Sequence, residues 1–159
     1  MTERQLLLPC YALWSVRDGD LDAAAIYRRH YSARRYRHTS GRRLRRIVGP
    51  GEYLILVTPD LRSLAIFRRG RLADGRSGVW LTCFRREDHR GRASELIRQV
   101  CRLAWQRWPG QAITTWVDPR RVDSAVPGYC FRRAGFRRIR TTRRGLIELT
   151  LVPRSTQDG

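Results

Sequence analysis

Between Gly91 and Trp108 the apolar residues Ala93, Leu96, Ile97, Val100, Cys101, Ala104, Trp105 and Trp108 recur at spacings of three, four and seven. That period places one apolar stripe along a helix. A striped helix gains most of its stability from packing that stripe on another apolar surface. The chain supplies such surfaces on both sides. Apolar, β-rich runs fall at Tyr53 to Thr58, Ser63 to Arg68 and Val79 to Phe84 before the helix, and at Ala112 to Val117, Phe136 to Thr142 and Leu146 to Leu151 after it. Turn residues separate them: Pro59-Asp60, the stretch Gly70 to Gly78, and Pro109-Gly110. Upstream, Tyr11 to Val16 reads as a first strand. Asp20 or Asp22 can cap a helix that runs through Ile26 to about Tyr31. A short helix is expected over Tyr129 to Ala134, stopped by Gly135. The order is β-α-loop-β-β-β-α-β-α-β-β, an α/β (α+β) chain with a mixed, mostly antiparallel sheet flanked by helices.

At 159 residues the chain is expected to form one domain, with its core spread from about residue 10 to 152. Charge narrows the choice of partner. The formal net charge is +19, and all 33 basic residues are arginine. They occur in clusters at 28–29, 34–37, 42–46, 68–71, 85–92, 120–121, 132–140 and 143–144. Self-repulsion on this scale costs stability, and a polyanion relieves it. GC-rich coding accounts for arginine over lysine but not for the excess of base over acid. Arginine suits bidentate contact with phosphate or guanine. A membrane surface fits poorly as partner without an apolar amphipathic face, and no membrane is expected, since no apolar run approaches the ~20 residues that cross a bilayer. Leu6-Leu7-Leu8, cut by Pro9, is too brief for a signal peptide. Cys10, Cys83, Cys101 and Cys130 lack metal-ligand spacing and read as reduced, mostly buried thiols of a cytoplasmic protein.

Four places could carry chemistry. The junction Asp88 to Ser94 precedes the striped helix, where unpaired backbone N–H groups attract anions. Gly91, Arg92, Ala93 and Ser94 would then cradle a phosphate-bearing cofactor; an ordinary helix cap explains the same residues. His30-Tyr31 ends the first helix and opens the Arg-rich stretch from Ser32 to Gly49, although a lone His is more often a surface residue. Asp118 ends a strand before Pro119, which suits ligand or metal contact at the carboxyl end of a sheet and equally a turn. Tyr129 reads as a functional residue at the start of the last helix, or as a core or capping aromatic. Within the basic stretch, Arg34, Arg35, Arg37, Arg42 and Arg43 are the candidate DNA contacts.

The meander, the helix–strand pair and the closing Phe131-Arg-Arg-Ala-Gly-Phe136 segment resemble the GNAT acyltransferase fold, with Phe131 where that superfamily usually has Tyr and Asp88 where its pyrophosphate turn usually has Gln or Arg. A narrower likeness rests on motifs in order: His30-Tyr31, Gly49-Pro-Gly-Glu52, Phe84-Arg85, Ser94-Glu-Leu-Ile97, Trp108-Pro109, Val117-Asp118 and Pro127-Gly-Tyr-Cys-Phe131. Over roughly residues 10 to 152 this resembles the Mom family of bacteriophage DNA modification proteins. The resemblance implies a GNAT-like enzyme that converts adenine in double-stranded DNA to N6-carbamoylmethyladenine and so shields phage DNA from restriction in the host cytoplasm. It implies iron at His30, Tyr31 and Asp118, and roles for Arg85, Ser94 and Tyr129 in activity or cofactor contact. Acetyl-CoA or another phosphate-bearing donor is the expected co-substrate, and a homodimer is compatible with this reading. Two other functions fit the same sequence: a conventional GNAT N-acetyltransferase using acetyl-CoA, and a non-catalytic DNA-binding protein.

Overall fold

The computed structural model describes residues 5–7, 12–31, 33, 46–49, 51–87 and 91–154. The architecture is mixed α/β, with a mostly antiparallel sheet. The described residues form eight strands: β1 (Gln5–Leu7), β2 (Leu13–Val16), β3 (Glu52–Val57), β4 (Ser63–Arg71), β5 (Ser77–Arg86), β6 (Ile113–Val117), β7 (Arg137–Thr141) and β8 (Ile147–Leu151). The helices among them are α1 (Leu21–Arg28), α2 (Ala93–Arg107) and α3 (Tyr129–Arg133). The chain divides into two compact units, Met1–Arg69 with Leu81–Arg92, and Gly70–Trp80 with Ala93–Gly159.

In the first unit the strands run in the order β1-β2-β3-β4-β5. Register explains its core. Val16 pairs with Ile55 and Ile55 with Ile66, while Trp14 pairs with Val57 and Val57 with Leu64. Alternation then puts Val16, Ile55, Val57, Leu64 and Ile66 on one face, where they cluster with Cys83 of β5 and with Ala23 and Ile26 of α1. The residues between them, Leu54, Leu56, Ala65 and Phe67, are buried too. Burial on both faces is why β3 and β4 read as unbroken apolar runs rather than as alternating ones. α1 starts where sequence expects: the Asp20 carboxylate accepts hydrogen bonds from the Asp22 and Ala23 N–H groups, each at 3.0 Å. β1 was not anticipated. Its three residues, close to Pro9, carry too little period for a strand to be read; they pair with β2 across Leu6 and Trp14.

The second unit orders its strands β5-β6-β8-β7. α2 buries Leu96, Ile97, Val100, Cys101 and Ala104 of the expected stripe, with Trp108 just beyond. The closing segment is a Schellman motif. The Phe136 N–H donates to the Phe131 carbonyl and the Gly135 N–H to the Arg132 carbonyl, each at 3.0 Å. Gly135 takes φ +107°, and the Phe131 and Phe136 rings meet edge to face at 5.5 Å. The Phe-x-x-x-Gly-Phe spacing is thus the signature of a helix stop sealed by two rings. Glu148 of β8 is 1% exposed. One of its oxygens accepts from Arg76 (2.9 Å) and from the Trp116 indole (3.0 Å), and the other from Arg140 (3.0 Å). Burial pushes the Glu148 carboxyl upward, but the bonds from Arg76 and Arg140 outweigh it and hold the group below the usual carboxylate range.

Two stability predictions follow from these contacts. Glu148→Ala removes the acceptor shared by Arg76, Arg140 and the Trp116 N–H, while Arg76 keeps Asp74 at 2.9 Å; it should lower unfolding free energy by about 1–3 kcal/mol in urea titration. Because the folded carboxyl titrates low, its contribution is present above the unfolded value and is lost as pH falls through the folded one. The wild type should therefore lose its advantage over Glu148→Ala in acid. Gly135→Ala forces a Cβ into a left-handed residue and to 3.3 Å from the Leu151 Cδ1. It should cost about 1–2 kcal/mol, and an unchanged urea midpoint would contradict the Schellman assignment.

Candidate functional site

α1 ends in a tightening turn. The Arg29 N–H donates to the Ile26 carbonyl at 3.1 Å, and the His30 N–H to the Tyr27 carbonyl at 2.9 Å. This turn swings His30 and Tyr31 off the helix, where their rings stack with centroids 4.3 Å apart and planes 30° apart. β5 of the same unit delivers the groups that meet them. Arg85 donates to the Arg29 carbonyl at 2.7 Å, a cation at a helix C-terminus where the backbone dipole favours it. Glu87 accepts from Arg29 Nε and NH2 at 2.9 and 2.6 Å, and its Oε1 lies 3.3 Å from Arg85 Nε. That last distance is an ion-pair contact; Arg85 Nε is buried and makes no hydrogen bond among the described residues. The Arg29–Glu87 pair is partly exposed, with 48% and 26% of its side chains open. Such pairs contribute roughly 0–1 kcal/mol, so this one orients α1 and β5 more than it stabilises them.

Electrostatics follow from this packing. Burial is the largest influence on His30, the Arg85 guanidinium adds to it, and a hydrogen bond with the Phe84 backbone opposes both. Together they lower the imidazole from 6.5 to about 4. His30 is therefore neutral at pH 7. If its ring N–H donates to the Phe84 carbonyl, the acceptor lone pair sits on the other ring nitrogen. A neutral imidazole is the form that ligates metals or accepts a hydrogen bond from substrate. Glu87 is held below the usual carboxylate range by the Arg29 hydrogen bond first, against the pull of burial. Net charge at this cluster stays positive.

The other expected residues fall as follows. Asp118, at the end of β6 in the second unit, is 8% exposed. Its Oδ1 accepts from the Arg120 backbone N–H (3.0 Å) and from Arg120 Nε (2.9 Å), its Oδ2 from Arg120 NH2 (3.2 Å). These bonds hold its carboxyl below the usual range and show the turn role at work. Tyr129 opens α3 and is 56% exposed, which removes the core alternative for that ring. Gly91 has φ +67° and its carbonyl accepts from Arg86 at 2.7 Å. Arg92 is exposed, Ala93 begins α2, and Ser94 is buried in its first turn. Asp88, His89, Arg34, Arg35, Arg37, Arg42 and Arg43 lie outside the described residues. Thus His30, Tyr31 and Arg85 come together in the first unit, while Asp118 and Tyr129 belong to the second. Arg29 and Glu87 were missed; the signal was a rare acid directly after Arg85-Arg86.

As to metal, His30 and Tyr31 offer two adjoining donors, one of them in the neutral state that a metal needs. Among the described residues no group of three His, Cys, Asp or Glu side chains is placed to hold an ion. Cys83 and Cys101 are buried, and burial pushes the Cys83 thiol up to about 12 and the Cys101 thiol higher still, so neither offers a thiolate. No helix of the described residues is long and apolar enough to cross a membrane. Comparison of the chain with protein-family models and with curated sequences finds no match.

The neutral His30 is measurable. In metal-free protein its ring should titrate near pH 4 by NMR. A base whose folded value is lowered stabilises the fold above its unfolded value, and this is lost as pH falls toward the folded one. Stability should therefore drop between about pH 6.5 and 4, and less so in His30→Gln. A ring that titrates near 6.5 would contradict the buried, Arg85-flanked setting.

Proposed function

We propose that this chain is a GNAT-like transferase that modifies adenine in double-stranded DNA to N6-carbamoylmethyladenine, shielding phage DNA from restriction. One observation carries the reading most: the neutral His30, stacked on Tyr31 and flanked by Arg85, in a chain of net charge +19. Adenine N6 is a poor nucleophile because its lone pair is delocalised into the ring. In a duplex it is also stacked and paired, so the base must be extruded before it reacts. Each requirement has a matching feature. Arginine-rich surface holds the phosphates of the extruded strand. The Tyr31 ring offers a face to a flipped base. A neutral imidazole accepts a hydrogen bond from the amino group, which draws electron density onto N6.

The product places a methylene carbon on N6, with the amide one bond further out. Simple acetyl transfer would put the amide on N6 itself, so the reaction departs from ordinary acyl transfer. Iron, which this reading assigns to His30 and Tyr31 among its ligands, would supply the redox or Lewis-acid chemistry for that bond. Tyr129, exposed at the start of α3, is the proposed proton donor to the departing group.

The decisive assay is nucleoside mass analysis of DNA from bacteria that express the chain. Wild type should yield an adenosine heavier by one carbamoylmethyl group. His30→Ala should abolish it, and Tyr129→Phe, which removes only an exposed hydroxyl, should reduce it at least tenfold, both with unchanged circular dichroism. An unmodified pool from well-expressed, folded wild type would reject the reaction and leave passive DNA binding or acetyl-CoA chemistry to account for the fold.

A further inference from the structure

The second unit carries a groove of about 1020 Å³ whose lining includes none of the residues discussed above as catalytic. Its walls include Arg98, Arg102 and Trp105 of α2, Arg137 at the start of β7, and Arg154 after β8. Arg98, Arg102 and Trp105 stand at i, i+4 and i+7, one stripe of α2 that begins beside the apolar face at Trp105 and runs onto the exposed side. The groove's lining contains no acidic residue. Arg102, Arg137 and Arg154 form no ion pair among the described residues. Arg98 is fastened by a bond to the Arg133 carbonyl at 2.5 Å, and its guanidinium has further N–H donors. The Trp105 indole donates to the Gln111 carbonyl at 2.7 Å, which fixes the ring in the groove wall.

Four guanidinium groups around one concavity repel one another, and among the described residues no carboxylate pairs with them. The charge also continues beyond the groove. Every residue of β7 is exposed, and Arg137, Arg138 and Arg140 follow one another along this edge strand. A charged edge also discourages strand pairing between molecules, but Arg98, Arg102 and Arg154 lie off the strand and serve no such purpose. A small anion would fill the groove and leave β7 unused. An extended polyanion engages both.

We propose that the groove formed by Arg98, Arg102, Arg137 and Arg154 seats the phosphate backbone of duplex DNA, with β7 extending the track. This rests on the DNA reading above and assigns it a docking surface separate from the His30 cluster. Contacts of this kind set affinity and orientation without reading sequence. They leave a quantitative mark, since each phosphate contact adds about 0.9 to the slope of log affinity against log salt.

The test is fluorescence anisotropy of a labelled 30-base-pair duplex with the full chain between 50 and 200 mM salt. The groove variant is Arg98→Gln/Arg102→Gln/Arg137→Gln. The charge-matched control is Arg62→Gln/Arg69→Gln/Arg71→Gln, all exposed positions. Thermal melts confirm that each variant is folded. The groove variant should show a slope shallower by roughly 2–3, with the control closer to wild type. Equal slopes for the two variants, with wild type binding well, would overturn the groove while leaving the DNA reading intact. Wild type that fails to bind duplex would overturn both. Inorganic tripolyphosphate is the second probe: saturable micromolar binding that the groove variant loses, with duplex affinity unchanged, would make this a small-phosphate site and reject the proposal.

Discussion

Fourteen carboxylates share a chain with 33 guanidinium groups, and this scarcity of negative charge organises the structure. A carboxylate in such surroundings collects several donors. Glu148 takes Arg76, Arg140 and the Trp116 indole. Glu87 takes Arg29 and Arg85. Asp118 takes Arg120, with Arg121 at 3.8 Å. The Glu148 carboxylate is itself buried, although its arginine partners are 43% and 53% open, and losing it also leaves the Trp116 N–H without its acceptor. Glu87 and Asp118 likewise sit among exposed arginines, where water competes and each pair contributes little energy. Their effect is geometric: one fastens the end of α1 to β5, the other closes the turn after β6.

The same excess of arginine shapes the His30 cluster. A histidine beside a carboxylate would gain a proton. His30 sits instead beside Arg85 and is partly buried, and both influences remove the proton. The Arg85 side chain that does this is held in place by the Arg29 carbonyl. A helix terminus, a strand end and one bridging acid therefore combine to keep a single imidazole neutral at neutral pH. Where no acid is at hand among the described residues, as at Arg137 and at Arg102 and Arg154 of the groove, positive charge forms no ion pair, and a polyanionic partner is the natural complement.

Much of the fold was legible because its signals are local. The α2 stripe, the runs that became β3 to β6 and β8, the Asp20 cap and the Gly135 stop each depend on a few neighbouring residues. β1 escaped because three residues carry no readable period, and its existence depends on pairing with β2. The ends of β4 and β5 extend further into the Gly70 to Gly78 stretch than turn residues suggested, since a hairpin stays paired until the Leu72–Arg76 backbone bonds close it. At the candidate site, His30-Tyr31 stood out as a motif, but the company it keeps did not. Glu87 looked like one acid among many arginines. Glu148 looked like a strand residue, although Arg140 directly across the ladder hinted at a pair.

The sequence by itself determined most element types, the start of α1 and the stop after α3, and the sign of the molecule's charge, because periodicity, capping and composition act over short range; the end of α1 at Arg28, three residues short of expectation, it did not. Only tertiary structure decided which arginine meets which acid, that His30 is neutral, that Tyr129 faces solvent, and that four separate arginines converge on one groove. Those outcomes depend on burial and on contacts between residues as far apart as Arg76 and Glu148. Burial and distance are properties of the folded chain, and no local pattern encodes them.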